Sequence, residues 1–130
     1  MIYANKFIYT PSIKTLDFVE EFTEAQSYEK IQIAFIHVEE GDQEKPPVKT
    51  FINFIKWLSR KNEFKKIILH SFGHLSESKA DPNFTKKLLD EFEEKLKVQG
   101  FEVSQTPFGY FLDLNIEAPG FSLARVFKSF

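Results

Sequence analysis

Three histidines, His37, His70 and His74, are the side chains of this chain best suited to proton transfer or metal binding. His70 and His74 are four residues apart, a spacing that suits two metal ligands on a helix. However, they straddle the end of a predicted strand and the loop after it, and no third ligand follows at a recognisable spacing. We therefore expect no metal and no cofactor, and hydrogen-bonded or exposed imidazoles are the ordinary alternative.

Two serines close to a histidine suggest a second kind of chemistry. Ser71 and Ser76 flank His74, and a serine with a histidine can form a nucleophile and its base. No glycine elbow presents either serine, so hydrogen bonds of the hydroxyls within the turn are the alternative that we prefer.

Three polar residues alternate near the end of the chain. Asp113, Asn115 and Glu117 share one face of a predicted strand, because side chains alternate along a strand. Paired carboxylates can act as acid and base, but period-two polar residues on a strand are more often its solvent-facing side.

Length and composition limit the kind of protein that can position these residues. A chain of 130 residues fits one domain with a single core, and its 16 phenylalanines favour dense packing. A net charge of −2 argues against holding nucleic acid through many phosphates. The chain has no cysteine, no signal-peptide pattern and no run long enough to span a membrane, so we expect a cytoplasmic protein.

The hydrophobic pattern predicts strands and helices in alternation. Strands are predicted at residues 2–9, 31–38, 66–70, 101–105 and 110–117. One helix follows Pro46 and Pro47, which can occupy its first turn; its apolar stripe is Val48, Phe51, Ile52, Ile55, Trp57 and Leu58. A second helix, capped by Asp81 and closed by Gly100, carries Phe84, Leu88, Phe92 and Leu96. Together they predict an α/β or α+β fold with a mixed sheet and two main helices.

Three other segments complete the reading. Residues 12–30 are ambiguous, because Leu16, Val19 and Phe22 are at helical spacing while strand and loop remain possible. Residues 39–45 are predicted as a solvated loop. A short helix is predicted for the tail, residues 122–130.

Five short motifs, in one order and at near-constant spacing, connect the chain to a known family. Residues 72–76, F-G-H-L-S, resemble the F-A-H-L-S of the editing domain of archaeal threonyl-tRNA synthetases. Residues 34–39, 100–103 and 107–111 are similar to its A-F-I-S-V-E, G-F-x-V and P-F-G-Y-Y. Gly120, Leu123 and Ala124 match its G-x-P-L-A. The likeness covers about residues 31–126, and residues 1–30 correspond only loosely.

The resemblance implies a D-aminoacyl-tRNA deacylase-like fold and the hydrolysis of serine mischarged on threonine tRNA. It also implies a homodimer and two further partners, the acceptor end of threonine tRNA and the catalytic chain of threonyl-tRNA synthetase. Residues 1–130 would then form one editing module. The pocket implied for this chain is lined by His74 together with Val38, Phe72, Gly73, Pro107, Phe108, Gly109, Tyr110 and Phe111.

Three polar positions of the family site differ in this chain. Leu112 stands where the family has a lysine associated with catalysis, Phe111 replaces a tyrosine, and Arg125 replaces an acidic residue. Leucine and phenylalanine cannot hold or move a proton. One hypothesis is a working editing module that relies on backbone and RNA groups, with Arg125 or Lys128 in place of the lost lysine. The alternative is a non-catalytic relative that binds tRNA or a synthetase.

Overall fold

The structure is a computed structural model that describes all residues, 1–130. It has five strands, two α-helices and one short 3₁₀ turn. In chain order these are β1 (Ile2–Lys14), β2 (Gln26–Ile36), the 3₁₀ turn Glu40–Gln43, α1 (Val48–Asn62), β3 (Lys66–Ser71), α2 (Pro82–Val98), β4 (Glu102–Gln105) and β5 (Tyr110–Glu117).

All five strands form one mixed sheet in the order β4-β3-β2-β1-β5. β2, β3 and β4 run parallel, and β1 runs antiparallel to both β2 and β5. The parallel strands are joined through α1 and α2, as parallel pairing requires. The predicted mixed sheet with two main helices is therefore confirmed.

The main core lies where both helices pack against one face of the sheet. Alternate residues of the central strands, Ala34, Ile67 and Leu69, meet the helices there. Phe51 of α1 stacks on Phe92 of α2 with ring centroids 4.1 Å apart. The buried helix residues are Phe51, Ile52, Ile55 and Leu58 of α1 and Thr85, Leu88, Leu89, Phe92 and Leu96 of α2. Trp57 was predicted to lie on this buried face. It is instead 37% exposed, and its ring stacks on that of Phe54.

A smaller core covers the other face of the sheet. Phe7, Ile33 and Ile68 are completely buried there, and Leu112 of β5 packs against the same cluster. Because both faces are apolar, the central strands read as nearly continuous hydrophobic runs in the sequence.

The first strand is longer than predicted, because Pro11 does not end it. Beyond Tyr9, β1 no longer pairs with β2 and pairs only with β5, and the register shifts between Pro11 and Ile13. At such an irregularity the missing N–H of proline costs little. The ambiguous segment 12–30 thus contains the end of β1, a loop and the start of β2 at Gln26.

The tail does not form the predicted helix. Tyr3 N–H donates to the carbonyl of Ala124 (2.8 Å) and Val126 N–H donates to that of Met1 (2.9 Å). The Met1 ammonium also donates to the carbonyl of Val126 (2.8 Å). β5 pairs with β1 only from Lys6 onward. The backbone groups of the first β1 residues are therefore free on that edge and form hydrogen bonds with the tail.

The predicted ends of the helices are largely confirmed. A carboxylate oxygen of Asp81 accepts hydrogen bonds from the backbone N–H groups of Asn83 (3.0 Å) and Phe84 (3.2 Å) at the start of α2. Gly100 follows the end of this helix with φ +94°. Pro47 is the N-cap of α1, so the two prolines precede its first turn instead of occupying it.

We expect Asp81→Ala to lower the free energy of unfolding by about 1 kcal/mol, because two N–H groups at the start of α2 lose their acceptor. Urea or thermal unfolding measures the change. Asp81→Asn is the matched control, since an asparagine oxygen can accept the same bonds. An equal loss of stability in both variants would contradict a capping role.

Candidate functional site

A single cavity of about 410 Å³ lies at the edge of the sheet where β2 and β3 end and β5 begins. Ten of the eleven residues predicted for the site line it. They are Val38, Phe72, Gly73, His74, Pro107, Phe108, Gly109, Tyr110, Phe111 and Leu112. The two loops that carry His74 and Pro107 therefore face one common space.

Arg125 is the predicted site residue that the structure places elsewhere. It lines a second, larger cavity of about 750 Å³ together with Lys128, and its guanidinium donates to the carbonyl of Pro119 (3.3 Å). The reason is the pairing of the tail with the start of β1, which carries Arg125 to the position opposite Ile2. Neither cation lines the smaller cavity.

The two loops of the site are joined by a buried hydrogen bond between neighbouring strands. Thr106, just after β4, donates its backbone N–H to the carbonyl of Leu69 (3.0 Å). Its hydroxyl lies 2.9 Å from Nδ1 of His70 at the end of β3. Residues 107–110 begin directly after this contact and residues 72–76 shortly after His70, so the pair fixes the two loops relative to each other.

His37 holds the loop that carries His74. Its Nε2 is 2.6 Å from the carbonyl oxygen of Ser78, which can only accept, so Nε2 carries the proton. Its Nδ1 accepts from the backbone N–H of Leu75 (3.2 Å). Both nitrogens are therefore used in hydrogen bonds.

Two backbone hydrogen bonds tie the same loop to the end of β2. Phe72 N–H donates to the carbonyl of Ile36 (2.8 Å), and Ala80 N–H donates to that of Val38 (3.0 Å). Together with the His37 contacts they fix residues 72–80 at several points.

The serines near His74 do not form a catalytic pair with it. Ser76 donates its hydroxyl to the carboxylate of Glu39 (2.6 Å) and accepts from the N–H of Ser78 (3.3 Å). No hydrogen bond joins His74 to either Ser71 or Ser76, and the ring of His74 instead lies edge-on to Phe72. The hydroxyl of Ser76 has a local structural role.

Tyr110 is engaged by a segment of the chain that the sequence left unassigned. Its hydroxyl donates to the carbonyl of Glu20 (2.7 Å) and accepts from the N–H of Phe22 (3.0 Å). The carbonyl of Gly109 also accepts from Thr15 N–H (2.6 Å). Residues 15–22 thus lie over the turn 107–110, and Thr15 and Leu16 join the cavity lining.

Gly109 is required by this close approach. Its φ is +82°, and an added Cβ would lie 3.0 Å from Cγ1 of Val19 and 3.1 Å from Cβ of Leu16. Leu16 and Val19, whose spacing suggested a helix, are therefore used as contacts to the turn. The glycine of the P-F-G-Y motif was the sequence signal for these contacts, because it indicates that another segment packs closely there.

His70 is one of the cavity residues that the sequence-based site prediction missed. It is 7% exposed, and burial lowers the pKa of its imidazole to about 4. The ring lies edge-on to Phe35, with centroids 5.2 Å apart. Nε2 has no protein hydrogen-bond partner. The sequence signal for His70 was its position in a strand that is otherwise apolar and predicted to be buried.

The remaining candidates lie outside the cavity. Asp113, Asn115 and Glu117 are exposed along β5, and none of them lines it. No group of three or more His, Cys, Asp or Glu side chains is placed to bind a metal ion. Neither helix combines the length and apolar character needed to cross a membrane.

A solved structure shares this fold. The c-Myc DNA Unwinding Element Binding Protein superposes with a TM-score of 0.67 over 88% of this chain and 87% of that chain, at 11% identity. The expected D-aminoacyl-tRNA deacylase-like fold is confirmed.

The family follows from the whole sequence. The family model described as the archaea-specific editing domain of threonyl-tRNA synthetase matches residues 1–130, and the chain belongs to this family. Threonine–tRNA ligases from Thermococcus onnurineus and Nitrosopumilus maritimus are 30% and 32% identical over 99% and 98% of the chain. The chain spans about a fifth of the length of these relatives, 21% and 20%. The likeness therefore includes residues 1–30.

We expect the free energy of unfolding to fall as the pH is lowered from about 6.5 to about 4. In this range the imidazole of His70 takes up a proton in the unfolded chain but not in the folded one. The loss due to His70 reaches at most about 3.5 kcal/mol, at about 1.4 kcal/mol per pKa unit. Below about pH 4 this contribution becomes constant.

Urea unfolding at a series of pH values measures this dependence. His70→Asn keeps a hydrogen-bonding group near Thr106 but takes up no proton in this range, so its profile should be flatter. His74→Asn, which removes an exposed imidazole, is the matched control. A wild-type slope in His70→Asn would show that other groups cause the acid loss.

Proposed function

We propose that this chain is a proofreading module that hydrolyses Ser-tRNA(Thr) or a related mischarged aminoacyl-tRNA, and that residues 1–130 form a single editing module. The observation that carries the proposal is the common cavity between the loops of His74 and Pro107. This cavity is open to solvent at His74, which is exposed, so the end of a tRNA can reach it.

The need for such a module is physical. Threonine exceeds serine by one methyl group, and a missing methyl group is worth only about 1–3 kcal/mol in discrimination by a binding site. A synthetase that rejects serine by binding alone therefore makes errors. A second site that removes the smaller product corrects them.

The lining of the cavity suits an adenosine that carries an aminoacyl ester. Val38, Pro107 and Phe108 provide apolar surface for the base. The backbone N–H groups of Gly73 and His74 donate to no other protein group, and neither do those of Phe108 and Gly109. Free amides of this kind can stabilise the oxyanion that forms when water attacks an ester.

The same proposal includes the partners of the module. The acceptor end of threonine tRNA is the ligand of the cavity, and the catalytic chain of threonyl-tRNA synthetase supplies the mischarged tRNA. The names of the matched relatives support this association. We further propose that the module acts as a homodimer, to be tested by light scattering.

A second function is favoured by one specific observation. Leu112, at the position of the family lysine, packs against the smaller core and cannot transfer a proton. A module with this site could bind tRNA or a synthetase without hydrolysing the ester.

We expect the purified chain to shorten the half-life of Ser-tRNA(Thr) and to leave Thr-tRNA(Thr) largely intact. Release of labelled amino acid from a small panel of charged tRNAs measures both. The exposed Asn53 of α1 provides a control, since Asn53→Ala changes nothing in the cavity.

Unchanged half-lives for the whole panel would contradict the proposed hydrolysis. The binding function then predicts that tRNA or the synthetase is still bound and that Leu112→Lys alone creates no activity. Rapid hydrolysis of Ser-tRNA(Thr) by the wild-type chain excludes the function of binding without hydrolysis.

A further inference from the structure

The cavity contains one charged side chain that nothing else in the molecule uses. Lys79 is the only Lys, Arg, Asp or Glu residue that lines it. None of the three ion pairs of the structure, Lys14–Glu21, Lys86–Asp90 and Lys97–Glu93, involves Lys79. Its ammonium also donates no hydrogen bond to a protein group, so it is available for a ligand.

Three other polar groups of the cavity are less available. His37 uses both of its ring nitrogens, and Tyr110 uses its hydroxyl as donor and acceptor. His70 is neutral at physiological pH, since burial lowers its pKa to about 4. None of these groups can supply a permanent positive charge to the cavity.

The backbone on both sides of Lys79 is fixed to the end of β2. The carbonyl of Ser78 accepts from His37 Nε2, and the N–H of Ala80 donates to the carbonyl of Val38. The position of Lys79 is therefore set by the sheet, although its side chain is exposed.

The side chain of Lys79 extends over Gly73. A carbon atom added to Gly73 as Cβ would lie 3.6 Å from Cε of Lys79 and 3.8 Å from its Nζ. The ammonium thus lies beside the loop whose Gly73 and His74 amides have no protein partner. The Lys79 ammonium and two N–H groups without a protein partner therefore lie in the same loop region of the cavity lining.

We propose that Lys79 is a catalytic residue of the module, which contacts the acyl oxygen of the bound ester and stabilises the charge that develops on it. This inference rests on the proposed function. An ammonium group offers three donors and a positive charge, which suits an oxyanion.

The step balances with water as the only co-reactant. The water oxygen forms a bond to the acyl carbon, and the carbonyl electron pair moves to the acyl oxygen, which Lys79 and the free amides contact. The bond from the acyl carbon to the ribose oxygen then breaks as the carbonyl re-forms. The ribose oxygen takes one proton of the water, and the amino acid leaves as a carboxylic acid that ionises.

The test compares single-turnover hydrolysis of Ser-tRNA(Thr) by the wild type, Lys79→Met, Lys79→Arg and Lys87→Met. Lys79→Met keeps the length of the side chain without its charge, and we expect a fall of about 100-fold in rate with tRNA binding largely retained. Lys79→Arg should keep part of the activity. Lys87 is an exposed lysine of α2 outside the cavity, so Lys87→Met should match the wild type.

A further variant separates a chemical role from a structural one. Leu112 lines the same cavity, so Leu112→Lys in the Lys79→Met background returns an ammonium to it at another position. A larger gain in rate from Leu112→Lys in the Lys79→Met background than in the wild type supports the proposal, and an equal gain in both backgrounds contradicts it. Melting temperatures close to that of the wild type confirm that the variants are folded.

Three further results would overturn the proposal. A wild-type rate in Lys79→Met shows that the charge is not needed for hydrolysis. Equal losses of rate and of tRNA affinity place Lys79 on a phosphate group instead of the ester. An inactive wild type overturns the proposed function as well, whereas the first two results leave that function standing.

Discussion

The parallel pairing of β3 with β2 and β4 is the constraint on which the site depends. Strands that run parallel end at the same edge of a sheet, so the segments after β2, β3 and β4 meet there. The helices that parallel connections require cover one face and form the main core. The His70–Thr106 contact and the two bonds of His37 then fix the loops at that edge.

Most of the sheet and both helices could be predicted from the sequence, because their signals are local. A buried strand is an apolar run, and Asp81 and Gly100 mark the limits of α2. The predictions failed where contacts with a segment distant in sequence determine the local structure. Pro11 continues β1 because β5 pairs with it there, and the tail is extended because the start of β1 offers a free edge.

The same distinction between local signals and distant contacts applies to the site. Ordered motifs predicted which loops would meet, since ten of the eleven predicted site residues line one cavity. They could not predict the position of Arg125, which depends on the pairing of the tail. Nor could they identify Lys79, whose placement depends on His37 and on the backbone of Val38. Leu112 and Phe111 add no hydrogen-bond donor to the cavity.

The contact between Gly109 and residues 15–22 makes the N-terminal part of the chain a wall of the site. Changes of length or sequence in that segment alter the shape of the cavity without touching any motif residue. Under the proposed editing function, the amino acid that the cavity accepts then depends on this segment. Selectivity is then to be sought in residues 15–22 as well as in the motifs.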